Sequence, residues 1–125
     1  MKQQNFSIKK RLQSFKYAFN GLKILIKEEH NARIHLLATI IVLVAGVIFK
    51  LSVYEWVIIV LAIGFVIAIE IINTTIENIA DIVSPQKHDA IKKIKDISAA
   101  GVLISAITAL ILGLLIFIPK IVALC

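Results

Sequence analysis

The chain has 125 residues, of which 59% are apolar and 18% charged, with a formal net charge of +6 and a mean hydropathy of +0.92. These values exclude an ordinary soluble domain and leave room for one helical membrane domain. The single cysteine, Cys125, excludes an internal disulfide. The basic excess, without a nucleic-acid reading motif, points to anionic lipid headgroups and not to nucleic acid.

The first 33 residues are polar and basic with no continuous apolar core, which predicts that no signal peptide is cleaved and that the first span inserts the chain. Within them, residues 6–27 are amphipathic. Phe6, Ile8, Leu12, Phe15, Phe19, Leu22 and Ile26 recur mostly three or four apart, and lysines fill much of the remainder. A basic helix with an aromatic-rich apolar face suits a membrane interface; packing on its own protein is the other reading.

Three spans are expected, at about 32–53, 54–83 and 97–118. The uncharged core of the first, Leu36–Phe49, is shorter than the ~20 residues a span needs. It must extend to Ala32 and Val53, with Arg33 and Lys50 reaching outward. The short link from Lys50 to Glu55 makes the first two spans antiparallel neighbours. The third ends at Pro119-Lys120 and carries Ser98, Gly101, Ser105, Thr108, Ala109 and Gly113, small residues spaced for close helix contact. Eight Lys and Arg precede the first span and four (Lys87, Lys92, Lys93, Lys95) lie between the second and third. By the positive-inside rule the N-terminus and the 81–96 connection are cytoplasmic and the C-terminus is outside, with Phe49, Tyr54, Trp56 and Phe117 at the outer interface. The chain reads as a multi-pass protein of a prokaryotic cytoplasmic membrane.

The second span carries the chemistry. Glu70, Asn73, Glu77 and Asp81, spaced three, four and four apart, fall within a wedge of roughly 80° on one helix face, with Thr74 at its border. Carboxylates at membrane depth are costly and are usually functional. There is no Walker loop, no G-x-G-x-x-G and no Cys/His zinc spacing, so a nucleotide site here needs charged side chains and a metal. Glu29, before the first span, and Glu77 supply hard oxygens suited to Mg²⁺ with phosphate. Lys95 offers a cation, and Glu70, higher on the stripe, is a candidate general base. Each has a plainer reading: Glu70 as a structural carboxylate bonded to Ser or Thr, Glu77 and Asp81 as solvated acids, Glu28 and Glu29 as ion partners of Lys27 and Arg33, His88 as a polar loop residue.

Several segments together resemble one known family, the small prokaryotic integral-membrane diacylglycerol kinases, which include undecaprenol kinases. They are Glu70-Ile71-Ile72-Asn73-Thr74-Thr75-Ile76-Glu77, Asp81, Ser84-Pro85, His88 and Lys95-Asp96-Ile97-Ser98-Ala99-Ala100-Gly101-Val102, with Gly21-Leu22, Glu29 and Asn31-Ala32-Arg33-Ile34-His35 upstream. The resemblance covers nearly the whole chain. It implies an all-α membrane protein of one interfacial helix and three transmembrane helices, assembled as a homotrimer with active sites shared between chains. It further implies ATP-dependent phosphorylation of a membrane lipid alcohol: diacylglycerol giving phosphatidic acid is the first expectation, undecaprenol the alternative, and a non-enzymatic membrane bundle the remote one. By the same resemblance Glu70 is the catalytic base, Asn73 and Asp81 support the site, and Glu29 and Glu77 bind Mg²⁺. The ATP contacts are Lys10, Tyr17, Glu29, Glu77, Gln86, Lys87, His88, Lys95 and Asp96. Three positions depart from some members: Lys87 replaces an aromatic residue, Lys10 an arginine, and His35 an acid found in some diacylglycerol-specific kinases.

Overall fold

The computed structural model describes residues 7–125; Phe6, placed in the interfacial helix by the sequence, lies outside them. Four helices account for nearly all described residues: α1 (Ile8–Glu28), α2 (His30–Ile48), α3 (Val53–Val83) and α4 (Asp89–Leu124). The last three are long and apolar enough to cross a membrane, so the chain is a membrane protein of one amphipathic helix and three spans. At ~1.5 Å per residue α3 and α4 are about 46 and 54 Å long, well beyond the ~30 Å hydrocarbon layer. Part of each helix therefore projects out of the apolar layer.

α1 and α2 are separated by one residue. Glu29 takes an extended conformation (φ −106°, ψ 115°) that interrupts the helix. Arg33 holds this bend. Its Nε donates to the Ile26 carbonyl at 2.8 Å, and its guanidinium also reaches the Lys27 carbonyl. Those carbonyls belong to the last turn of α1, where no intrahelical donor is left and where a cation suits the helix dipole. Arg33 therefore turns back onto α1 instead of reaching outward, and α2 starts at His30, earlier than expected.

α2 also stops earlier than Val53. Lys50 adopts φ 52°, the left-handed conformation that commonly closes a helix. Leu51 N–H then donates to the Gly46 carbonyl at 3.1 Å and Lys50 N–H to Val47 at 3.3 Å. Ser52 caps α3 in reciprocal fashion: its Oγ accepts from Glu55 N–H, and Glu55 Oε1 accepts from Ser52 N–H at 2.9 Å. Glu55 also pairs with Lys120 of α4 at 3.1 Å. α4 runs through Pro119 to Leu124, past the expected end. Proline forfeits one backbone bond, while the continuing turn carries Lys120 to its partner.

The core at this end joins Leu51, Ile59 and Ile116, with Trp56 and Phe117 packed against them; Phe117 meets Phe49 edge-on at 5.9 Å. A side chain on Gly46 would place its Cβ 2.5 Å from the Trp56 ring. Residue pairs on α3 and α4 run in opposite senses: Glu55 meets Lys120, Ile69 faces Gly101, Asn73 bonds Ser98, and Asp81 bonds Lys95. This antiparallel pair sets the depth of every residue on the acidic stripe.

Gly46→Val should lower stability by roughly 1–3 kcal/mol through overpacking, whereas Lys50→Gly, at a left-handed position, should match or exceed the parent protein. Thermal unfolding in detergent checks both, and a Gly46→Val protein as stable as the parent would show that Trp56 moves aside freely.

Candidate functional site

The stripe forms because α3 presents Glu70, Asn73 and Glu77 toward α2 and α4. Glu70 is only 2% exposed and Asn73 7%, among the most buried polar groups in the chain. Asn73 is the joint. Its Oδ1 accepts from Ser98 Oγ of α4 at 2.7 Å, and its Nδ2 donates to Glu77 Oε1 at 3.3 Å, one turn along. The amide thereby ties α4 to α3 and fixes a carboxylate with one side chain. An amide can donate and accept at once with a rigid plane between.

Glu70 sits one helical turn deeper. Its Oε2 is sealed from solvent and has no hydrogen-bond partner; His35 Nε2 of α2 lies 3.5 Å away. Glu29 and Glu77 are near enough for their charges to act on Glu70. Three carboxylates from the α1–α2 bend and from α3 thus share one region. Among the described residues, however, no three His, Cys, Asp or Glu side chains converge into a metal cage. Mg²⁺ does not require one: it is held by one or two carboxylates together with phosphate oxygens and water. Glu29 and Glu77 fit that pattern, with the Glu70 carboxylate beside them.

A second group gathers where α3 gives way to α4. A cavity of about 450 Å³ is lined by Asp81, Ser84, Gln86, Lys87, His88, Lys95 and Asp96, among others. Lys95 Nζ bonds Asp81 Oδ1 at 2.5 Å across the helix pair, and Lys92 pairs with Asp96 at 2.6 Å. Both pairs are substantially exposed, so solvent screens them and they add little to stability. His88 caps α4, its Nδ1 accepting from Ala90 N–H at 3.1 Å. In the neutral ring that leaves the proton on Nε2. The donor-rich start of α4, with its positive dipole end, opens on the same cavity and favours an anion.

Glu29 lines another cavity, of about 520 Å³, between α1 and α3, with Leu22, Leu25, Ile71 and Thr74. Lys10 and Tyr17 line neither; Tyr17 is 68% exposed on α1. Within one chain the structure therefore collects Asp81, Gln86, Lys87, His88, Lys95 and Asp96 at one cavity and Glu29, Glu70, Asn73 and Glu77 around the buried carboxylate. It leaves Lys10 and Tyr17 apart. Neither Glu28 nor Glu29 forms an ion pair among the described residues, so their plainer reading with Lys27 and Arg33 falls. His88 does have the structural task of capping, alongside its place at the cavity.

Two neighbours of the reactive region are not legible as such in the sequence. Ser98 reads as a small packing residue, yet it anchors Asn73 across 25 positions. His35 reads as a flank of the first span, yet it faces Glu70. Only the antiparallel register of the helices brings either into place.

Comparison with known proteins then adds to this geometry. Residues 16–117 match the family described as prokaryotic diacylglycerol kinase. Undecaprenol kinase of Bacillus subtilis is 38% identical over 107 residues, covering 86% of this chain and 87% of that protein. Diacylglycerol kinase of Synechocystis is 31% identical over 114 residues, covering 90% of this chain and 65% of that protein.

Ser98→Ala should cost about 0.5–1.5 kcal/mol, and Asn73→Leu more, because it strands both Ser98 and Glu77. Unfolding of the two variants in detergent tests this; equal stability of Asn73→Leu and the parent would remove Asn73 as the joint between α3 and α4.

Proposed function

The chain belongs to the prokaryotic diacylglycerol kinase family, and from that premise we propose that Glu70 is the general base in transfer of the γ-phosphate of ATP to the hydroxyl of a membrane lipid. That the protein is a lipid kinase follows from the family; the assignment of roles to its residues is our reading. The observation that carries it is a sealed carboxylate on a spanning helix, with Glu29 and Glu77 beside it and a cation-lined cavity about three turns along α3.

The lipid hydroxyl gives its proton to Glu70 as its oxygen attacks the γ-phosphorus in line. The bond from that phosphorus to the bridging oxygen breaks, and its electron pair leaves with ADP. Glu29 and Glu77 are the residues that would hold Mg²⁺, which when bound neutralises charge on the phosphate oxygens. Asn73 keeps Glu77 in position. Lys95, drawn into place by Asp81, supplies positive charge to the phosphates, and the Nε2–H of His88 and the first turn of α4 supply donors. The other expected nucleotide contacts, Gln86, Lys87 and Asp96, border the same cavity. Little covalent chemistry is asked of the protein, because phosphoryl transfer is mostly positioning and charge stabilisation.

We place the N-terminus and the α3–α4 connection in the cytoplasm, where ATP is available, and the C-terminus outside, in keeping with the distribution of lysine and arginine. We also propose a homotrimer with shared sites. Lys10 and Tyr17, remote from the cavities of their own chain, fit that arrangement as residues completing a neighbour's site. Of the two acceptors, undecaprenol is placed ahead of diacylglycerol. Its support is the greater identity with the Bacillus subtilis enzyme and the larger share of that protein's own length that is matched, and an imidazole, not an acid, at position 35.

Folded protein in mixed micelles should move label from γ-labelled Mg·ATP to lipid, with kcat/KM for undecaprenol more than ~tenfold above that for diacylglycerol, equal to about 1.4 kcal/mol of transition-state binding. A reversed ratio would return diacylglycerol to first place. Glu70→Gln, which keeps the shape but takes no proton, should abolish turnover with assembly intact; near-parental kcat in that variant removes Glu70 as the base.

Glu29→Ala and Glu77→Ala should each shift the Mg²⁺ requirement to higher concentration or abolish activity. An unchanged Mg²⁺ titration in both would make them structural acids.

A further inference from the structure

We infer that His35 is a positioning residue for phosphoryl transfer, holding one oxygen of the Glu70 carboxylate so that the other faces the lipid hydroxyl. The inference rests on the reading of Glu70 as base and goes beyond it, because it gives a task to a side chain outside the acidic stripe.

Glu70 is 2% exposed and its Oε2 has no hydrogen-bond partner, although a buried carboxylate oxygen without a donor is costly. Thr74 Oγ1, one turn along α3, is buried without a partner too and does not bond it. Other polar groups of the region are engaged elsewhere. The Asn73 amide is committed to Ser98 and Glu77, and Ser105 Oγ donates to the Val102 carbonyl at 2.8 Å. Thr39 Oγ1 donates to the His35 carbonyl at 2.8 Å. His35 Nε2, at 3.5 Å, is the basic group set against the sealed oxygen, and a shift of a few tenths of an ångström completes an N–H···O bond. Such bonds are commonly long before substrate binds and tighten in the reactive complex.

The two oxygens of Glu70 then have different tasks. With Oε2 committed to the imidazole, the carboxylate plane is fixed and Oε1 presents its lone pairs to the acceptor. His35 is well placed to stay put. It lies on the second turn of α2, above the bend that Arg33 locks. It also forms the polar end of a cavity of about 370 Å³ whose other walls include Ala38, Ala62, Ala109 and Leu114. The imidazole, 21% exposed, has a largely apolar surround that offers it few competing polar partners. Without His35 a carboxylate on a three-bond stem turns away from its reactive orientation, while the nucleotide region around Lys95 is untouched.

The test is a pair of variants read by steady-state kinetics in mixed micelles, with Glu70→Gln as reference. His35→Leu keeps the bulk and lacks the donor; His35→Gln returns a donor N–H at similar reach. His35→Leu should lower kcat by about tenfold to a hundredfold with KM for Mg·ATP unchanged, and His35→Gln should recover a large part of that loss. Elution volume and thermal unfolding confirm that each variant is folded. Parental kcat in folded His35→Leu overturns the inference, and so does equal loss in His35→Leu and His35→Gln, which would make the ring a packing element. If the His35 variants are fully active while Glu70→Gln is dead, only this inference fails. If Glu70→Gln is itself active, the assignment of the base fails first.

Discussion

The arrangement depends on one constraint: a carboxylate must be kept at membrane depth, out of water, and still be reachable by a phosphate that never leaves water. The α3–α4 pair meets it through length. Both helices are longer than the apolar layer is thick, so one continuous rod carries Glu70 at the sealed level and Asp81 at the level of the charged cavity. Helical rise, ~1.5 Å per residue, sets the separation between base and nucleotide region. No flexible loop lies between them.

Asn73 makes this rod a site. Helices in lipid gain little from apolar contact with each other, since lipid tails are equally apolar, so polar contacts and close packing must fix the register. The bond from Ser98 to Asn73 does this toward the charged cavity, and the Glu55–Lys120 pair at the opposite end. A slip of α4 by one turn would separate Lys95 from Asp81 and Ser98 from Asn73 together. The same amide holds Glu77, so the register of the bundle and the position of a candidate metal ligand are not independent. The α1–α2 bend contributes the remaining carboxylate. Glu29 is the residue at the break, and Arg33 stabilises the break by closing the carbonyls that α1 leaves open.

Periodicity carried much of this. Apolar run lengths gave three spans, lysine spacing gave the amphipathic first helix, and the three-four-four pattern put Glu70, Asn73 and Glu77 on one face. The helix ends were less legible, because they are decided by single residues acting over short range. Lys50 in a left-handed conformation ends α2 sooner than hydrophobicity suggests, and α4 tolerates Pro119. Arg33 looked like a side chain bound for the headgroups; two open carbonyls nearby are stronger partners than distant water. Which side chains meet between helices was not legible. Ser98 and Asn73, or His35 and Glu70, are joined by a register that no spacing within a single helix contains.

The acceptor lipid is decided by a different part of the molecule from the chemistry. On the proposed mechanism any primary hydroxyl gives its proton to Glu70, so the stripe is indifferent to what the hydroxyl is attached to. Discrimination has to come from the surfaces flanking it, which are the cavity between α1 and α3 on one side and the small-residue cavity below His35 on the other. Apolar pockets discriminate weakly, by ~1–3 kcal/mol per methylene-scale difference, whereas a polar group at the rim, left paired or unpaired by the lipid's own oxygens, discriminates more. A diacylglycerol brings ester oxygens close to its hydroxyl; a polyprenol brings only carbon. Polar groups on the two sides include Glu29, Thr74 and His35. The balance between such groups and the apolar walls, and not the Glu70 carboxylate, is therefore where relatives sharing the stripe can differ in the lipid they phosphorylate.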